Sequence, residues 1–225
     1  MIRTLAAACL MSLAAGAVAT PADAKTIFET ATFTGVDTGE YIVSDTRYFG
    51  VAFTLDKTTE ITGIGGQFGG FPSGEIFGAI VSLPSATSLP DFTPSTIEAN
   101  TLAYVTFAAP SEITDLTEKI DLALSAGTYG VVFGSGAFKV NGNGGLGDGN
   151  NSVGSPNFFT YFAFDGDSNS WESASMDGAR ITVSGVPEVS TWAMMLLGFG
   201  GLGLAGARAS RSRTEGVRKL SLRTR

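Results

Sequence analysis

The chain has 225 residues, a formal net charge of −7, no histidine and one cysteine, Cys9. Without histidine, Ser-His-Asp and Cys-His catalysis are excluded, as are zinc sites that rest on imidazole. A single cysteine excludes an intramolecular disulfide framework.

Residues 1–24 read as a secretory signal peptide. Arg3 supplies a positive n-region, and residues 5–18 form an apolar stretch rich in alanine and leucine. Ala22-Asp23-Ala24 gives the small-x-small pattern that signal peptidase cuts, leaving Lys25 as the new N-terminus, and Ala17-Val18-Ala19 offers a second such pattern. Cys9 lies in the removed part, so the mature chain has no thiol.

Residues 25–186 read as one acidic domain, with six Lys/Arg against 18 Asp/Glu, a net of −12. About 160 residues can bury a real core. Such acidity repels phosphate backbones, so no nucleic-acid partner is expected. The hydrophobic period is two. Phe49, Val51, Phe53 and Leu55 alternate with small or polar residues, as do Tyr129, Val131 and Phe133. Further short runs rich in Val, Ile, Thr and aromatics fall at 27–34, 61–68, 76–83, 102–107, 120–124, 158–164 and 179–184. Gly, Pro, Asn, Asp and Ser separate them. No twelve-residue amphipathic helix is offered, and 115–122 could form a helical turn or two at most. The expectation is all-β: a single jelly-roll-like β-sandwich of eight to ten strands.

Several segments in this domain invite a functional reading. The run 124–129, Leu-Ser-Ala-Gly-Thr-Tyr, resembles a phrase of carbohydrate-binding β-sandwiches, in which the Gly turns the chain into a core strand and the Tyr packs inward. The glycine- and asparagine-rich run 141–151 reads as a long loop, either plainly solvated or holding Ca²⁺ through its carbonyls and Asp148. Asp165, Asp167 and Asn169 place oxygens at positions 1, 3 and 5 of a calcium loop, but Ser170 and Met176 stand where its Gly and bidentate Glu belong. The other reading of this segment is a β-turn between Phe164 and Trp171. Apart from Ca²⁺, no cofactor is expected. The run 158–164 carries rings on both strand faces, with Phe158, Phe162 and Phe164 on one and Phe159 and Tyr161 on the other. One face must be core. Phe159 and Tyr161, with Trp171, could instead stack on sugar rings.

The C-terminal segment has its own physics. Residues 189–207 carry no charge over 19 positions, about 28 Å as a helix at roughly 1.5 Å per residue, enough to span a hydrocarbon core of about 30 Å. Trp192 stands at the leading edge, where an indole prefers the headgroup layer, and seven Lys/Arg from Arg208 onward mark the cytoplasmic side. The expected topology is N-terminus out and C-terminus in.

Pro187-Glu188, Trp192-Ala193, Gly198-Phe199 and the cluster Arg208, Arg211 and Arg213 resemble the PEP-CTERM family in its PEPxxWA variety. Val189 departs from the pattern, standing where the second proline is usual. The resemblance covers 187–213, and a basic tail, 214–225, follows. It implies export from a Gram-negative cell that makes extracellular polysaccharide, transient anchoring in the inner membrane, and recognition by an exosortase. The cut would fall near Pro187-Glu188, releasing the domain to the cell surface or matrix. Two functions follow: a non-enzymatic exported protein with some glycan or calcium affinity, or a secreted glycan-acting hydrolase that uses two carboxylates.

Overall fold

A computed structural model of the chain describes residues 24–36, 38–153 and 161–187. Ala22, Phe159, Glu188, Trp192, Ala193, Gly198, Phe199, Arg208, Arg211, Arg213 and the tail 214–225 lie outside the described residues. Among the described residues, no helix is long and apolar enough to cross a membrane.

The domain is all-β and sandwich-like. Its strands are β1 (Lys25–Glu29), β2 (Ala31–Thr32), β3 (Glu40–Val43), β4 (Arg47–Leu55), β5 (Thr59–Leu83), β6 (Thr101–Ala108), β7 (Thr114–Leu124), β8 (Gly127–Gly134), β9 (Gly142–Gly147), β10 (Asn151–Ser152), β11 (Tyr161–Asp165), β12 (Ser170–Ala174) and β13 (Ile181–Pro187). This exceeds the eight to ten strands expected. One 3-10 turn (Pro94–Thr96) and α1 (Ile97–Asn100) are the helical elements among the described residues.

β5 organises the rest. Its 25 residues would run about 80 Å if straight, at about 3.3 Å per residue, against about 40 Å for a domain of this size. It therefore bends, and the register slips between Gly69 and Ser73. Gly70 and Gly74 take positive φ there, +79° and +67°, a conformation that costs glycine nothing and other residues strain. The half before the bend pairs with β7 on one side and β13 on the other, and β1 pairs with β13. Around the bend β5 pairs with β9, which in turn pairs with β3. The half after it pairs with β6 and β8, and the second sheet continues β8-β4-β11-β12. The runs 61–68 and 76–83, two strands by hydrophobic pattern, are thus one strand shared by both sheets.

Two expectations are corrected. The segment 115–122 is extended within β7, paired along its length with β5. Leu116, Glu118, Ile120, Leu122 and Leu124 face inward by turns, while Asp115, Thr117, Lys119, Asp121 and Ala123 are exposed. The outward charges hid the period of two; they also discourage edge-to-edge pairing of this outer strand. The run 141–151 is no open loop, because its first half is β9, largely buried between β3 and β5. A Cβ at Gly145 would meet the Gly69 carbonyl at 2.6 Å, so glycine here serves close backbone approach within a sheet.

Two apolar clusters hold the fold. The first contains Val51, Phe53, Ile61, Ile64, Phe68, Ile80, Val131, Phe133, Leu146, Ile181 and Val183. The second lies on the other face of the second sheet and is richer in aromatic rings. Tyr48, Phe77, Phe162 and Phe164 are covered there by Phe92, Ile97, Ala137 and Val140 from the connections after β5 and β8. As the sequence phrase implied, Gly127 opens β8, and Tyr129 packs against the first cluster while donating to the Ser125 carbonyl at 3.0 Å.

Candidate functional site

Trp171 sits on β12 opposite Phe164. Its ring lies 5.4 Å from Phe162, 5.5 Å from Phe164, 5.8 Å from Phe92 and 6.3 Å from Tyr48, each edge-on. Its indole N–H donates to the Phe92 carbonyl at 2.5 Å. The structure therefore uses Trp171 as the half-buried lid of the second cluster. Of the rings read as a sugar platform, Trp171 is the one placed here; Phe159 and the side chain of Tyr161 lie outside the described residues.

The segment Asp165–Ser170 closes the β11–β12 hairpin. Asp165 Oδ1 accepts the Asp167 N–H at 3.0 Å, Ser168 Oγ donates to the Asp165 carbonyl at 3.3 Å, and Asn169 takes φ +52°. Asn tolerates that conformation well. Asp165 thus spends one oxygen on its own turn. Among the described residues, no group of three or more His, Cys, Asp or Glu is placed to hold a metal ion. In β9 the carbonyl and amide groups serve the sheet, and Asp148 accepts the Thr38 hydroxyl at 2.8 Å.

Two buried polar groups tie distant segments of the fold together. Arg180, at 8% exposure, donates to Asp115 (2.8 and 3.1 Å), to Glu29 (2.7 Å) and to the Ala31 carbonyl. Burial opposes its charge, but the hydrogen bonds to Asp115 and Glu29 outweigh that and raise its pKa. Asn150 ties the Gln67 side chain to the Gly178 carbonyl, and Gln67 reaches the Val36 carbonyl at 3.2 Å.

Two depressions combine aromatic rings with charges of both signs. The first, about 200 Å³, is lined by Arg47, Phe49, Ala163, Phe164, Asp165 and Glu172. Glu172 lies opposite Ala163, and Asp165 is two residues along the same strand face, a diagonal relation that puts the two Cβ atoms roughly 7 Å apart. Tyr41 packs on Phe49 with ring centroids 5.7 Å apart, and its pKa is raised by burial and then by Asp148 and Asp177.

The second, about 270 Å³, is lined by Glu98, Tyr104, Phe138 and Lys139. Tyr104 projects outward from β6 and is 51% exposed. Its ring stacks on Phe138 at 4.1 Å with a 22° interplanar angle, and Phe138 packs edge-on against buried Phe77 at 5.0 Å. Phe138 and Lys139 both take left-handed φ, +53° and +64°, which costs about 1–3 kcal/mol per non-glycine residue. The surroundings hold the loop. The Phe138 N–H donates to Glu98 Oε1 at 2.5 Å, Gly136 N–H to the Val140 carbonyl at 3.0 Å, and Val140 N–H to the Ala137 carbonyl at 3.1 Å. Sequence reasoning missed this pair. Tyr104 could have been found, because the alternation of 102–107 puts Leu102, Tyr104 and Thr106 on the outward side; nothing local in Ala-Phe-Lys-Val signals two left-handed residues.

Comparison with protein-family models, curated proteins and solved structures yields no match to this chain.

Proposed function

We propose that the chain is an exported, non-enzymatic surface or matrix protein whose β domain is delivered through its two ends. A signal peptide ends at Ala24, and a PEP-CTERM-like segment from Pro187 parks the precursor in the inner membrane for an exosortase. One observation carries the reading: Lys25 pairs with Gly185 and Pro187 with Thr59, so both expected cut sites sit at one end of the sandwich, at the margins of paired strands. Cuts at Ala24/Lys25 and after Pro187 would leave every β1 and β13 pair intact. Two membrane-directed segments leaving the same end also let the precursor hang from one side of a bilayer without crossing its own body.

Mass spectrometry of the secreted protein tests this. The expected species starts at Lys25 and ends near Pro187-Glu188. A secreted species that still carries Trp192 to Arg213 rules out processing, and with it the exosortase.

The hydrolase reading has one observation in its favour, the Asp165–Glu172 diagonal beside Phe49 and Arg47. A Cβ spacing of roughly 7 Å would let the two carboxyl groups adopt the separation of roughly 5–10 Å that paired carboxylates use. New reducing ends released from polysaccharide by the wild type and abolished in Glu172→Gln would establish it; no release by the wild type ends it.

A further inference from the structure

We propose that the Tyr104–Phe138 pair, flanked by Glu98 and Lys139, is a binding platform for one ring of a neutral saccharide. The inference is independent of how the chain is sorted, since it rests on the folded domain alone.

Four observations meet at this place. Tyr104 offers an aromatic surface that folding does not consume, with about half of the residue, 51%, in solvent. Phe138 backs that ring at 4.1 Å and is itself anchored on buried Phe77, so the platform is held rigid. A rigid platform loses little conformational freedom on binding. The rim carries an ammonium donor, Lys139, and a carboxylate acceptor, Glu98, which suits a ligand whose hydroxyls both donate and accept. Finally, the backbone bears left-handed φ at Phe138 and Lys139. Phe138 is explained by its cover over Phe77. Lys139 is exposed, and glycine would satisfy its backbone without strain, so its side chain does not serve the core. Strain of this kind concentrates at ligand sites.

The occupant follows from shape and charge. A depression of about 270 Å³ takes one or two sugar rings rather than a protein surface. The ring faces of neutral hexoses carry apolar C–H groups that lie against an aromatic face, and their edges are hydroxyls. A domain of net charge −12 between residues 25 and 186 opposes polyanions, which sets nucleic acids and acidic glycans aside.

The test uses the full chain in a detergent without a sugar headgroup, titrated by calorimetry with neutral gluco- and manno-hexaoses in α and β linkage. At least one should bind, and Tyr104→Ala should weaken it tenfold or more with an unchanged melting temperature. Lys139→Gly separates a binding role from a structural one, because it should raise the melting temperature by relieving strain while weakening the sugar at least threefold. The proposal is overturned if no neutral hexaose binds, if Tyr104→Ala and Lys139→Gly bind as the wild type does, or if a uronic hexaose binds more tightly than every neutral one. Sedimentation covers the remaining occupant: a wild-type dimer that Tyr104→Ala dissolves, without sugar binding, would assign the platform to a second copy and likewise overturn the proposal.

Discussion

The second sheet is covered on both faces, but by different material. On one side the first sheet lies against it, and the interface is mostly aliphatic, with Ile61, Ile64, Ile80, Val131 and Val183 fully buried. On the other side the cover is coil, a 3-10 turn and a helical turn, and the sheet meets it with Tyr48, Phe77, Phe162, Phe164 and Trp171 set among Ala52, Ala79, Val81, Leu83 and Val132. The difference follows from what each cover can supply. A facing sheet brings its own regular rows of β-branched side chains, which interdigitate. An irregular cover brings few side chains, so the sheet must contribute large rings that fill volume and carry polar handles to bond the cover's backbone. Tyr48 donates to the Ser135 carbonyl at 2.5 Å, and Trp171 to that of Phe92. The same aromatic layer then emerges at the surface as Phe138 and Tyr104.

The largest expected effect separates the two interfaces directly. Phe68→Ala, in the first cluster with ring contacts to Phe107 and Phe133 at 5.3 and 4.9 Å, should cost about 4 kcal/mol and lower the whole urea transition. Phe92→Ala, in the cover, should cost about 2 kcal/mol, because coil can collapse into the space. Amide exchange should then quicken within 84–100 and leave β5 and β13 protected. Equal losses with uniform exchange would mean that the cover is as integral as the facing sheet.

Arg180→Met probes the polar margin of the first cluster. It should cost about 2–3 kcal/mol in chemical unfolding, below the usual loss for a broken buried pair, since Asp115 and Glu29 are partly hydrated already. A loss under about 0.5 kcal/mol, the size of a neutral surface change, would show that Arg180 is dispensable.

The second cluster has a pH signature at a fully buried side chain. Tyr48 is neutral in the fold, and burial first, then Asp45 and Glu98, push its pKa from 10.0 up to about 12. Its contribution is whole below pH 10 and is lost as pH climbs through 12, on the order of 2–3 kcal/mol. Thermal unfolding of the wild type should fall across that window more steeply than that of Tyr48→Phe; parallel curves would contradict the assignment. The smallest effect is expected for Trp171→Phe. It keeps most of the ring packing and loses one N–H bond, about 1 kcal/mol, read by the urea midpoint.

The strands at 48–55, 129–133 and 76–83 were legible because they are short runs of β-branched and aromatic residues bounded by turn residues. β7 was obscured by its charged outward positions, and β9 by glycine, which reads as loop in composition even where backbones pack closely. The bend in β5 was announced by Gly69, Gly70 and Gly74, yet a bend and a chain break leave the same local trace. For the candidate sites, the turn at Asp165–Ser170 and the shared face of Phe162 and Phe164 were readable from turn chemistry and period. The use of Trp171 as a lid was not, because its neighbour Phe92 lies 79 residues away.

The sequence by itself determined that the domain is all-β, which residues of each strand share a face, and that an acidic body is followed by an uncharged segment and a cationic end. Local periodicity and charge suffice for that. Only the tertiary structure decided which face each ring covers, that the glycine-rich run 142–147 forms a strand, and that Tyr104 and Phe138 meet. Those outcomes depend on contacts between residues far apart in the chain, and a period of two says which side chains point together without saying what they meet.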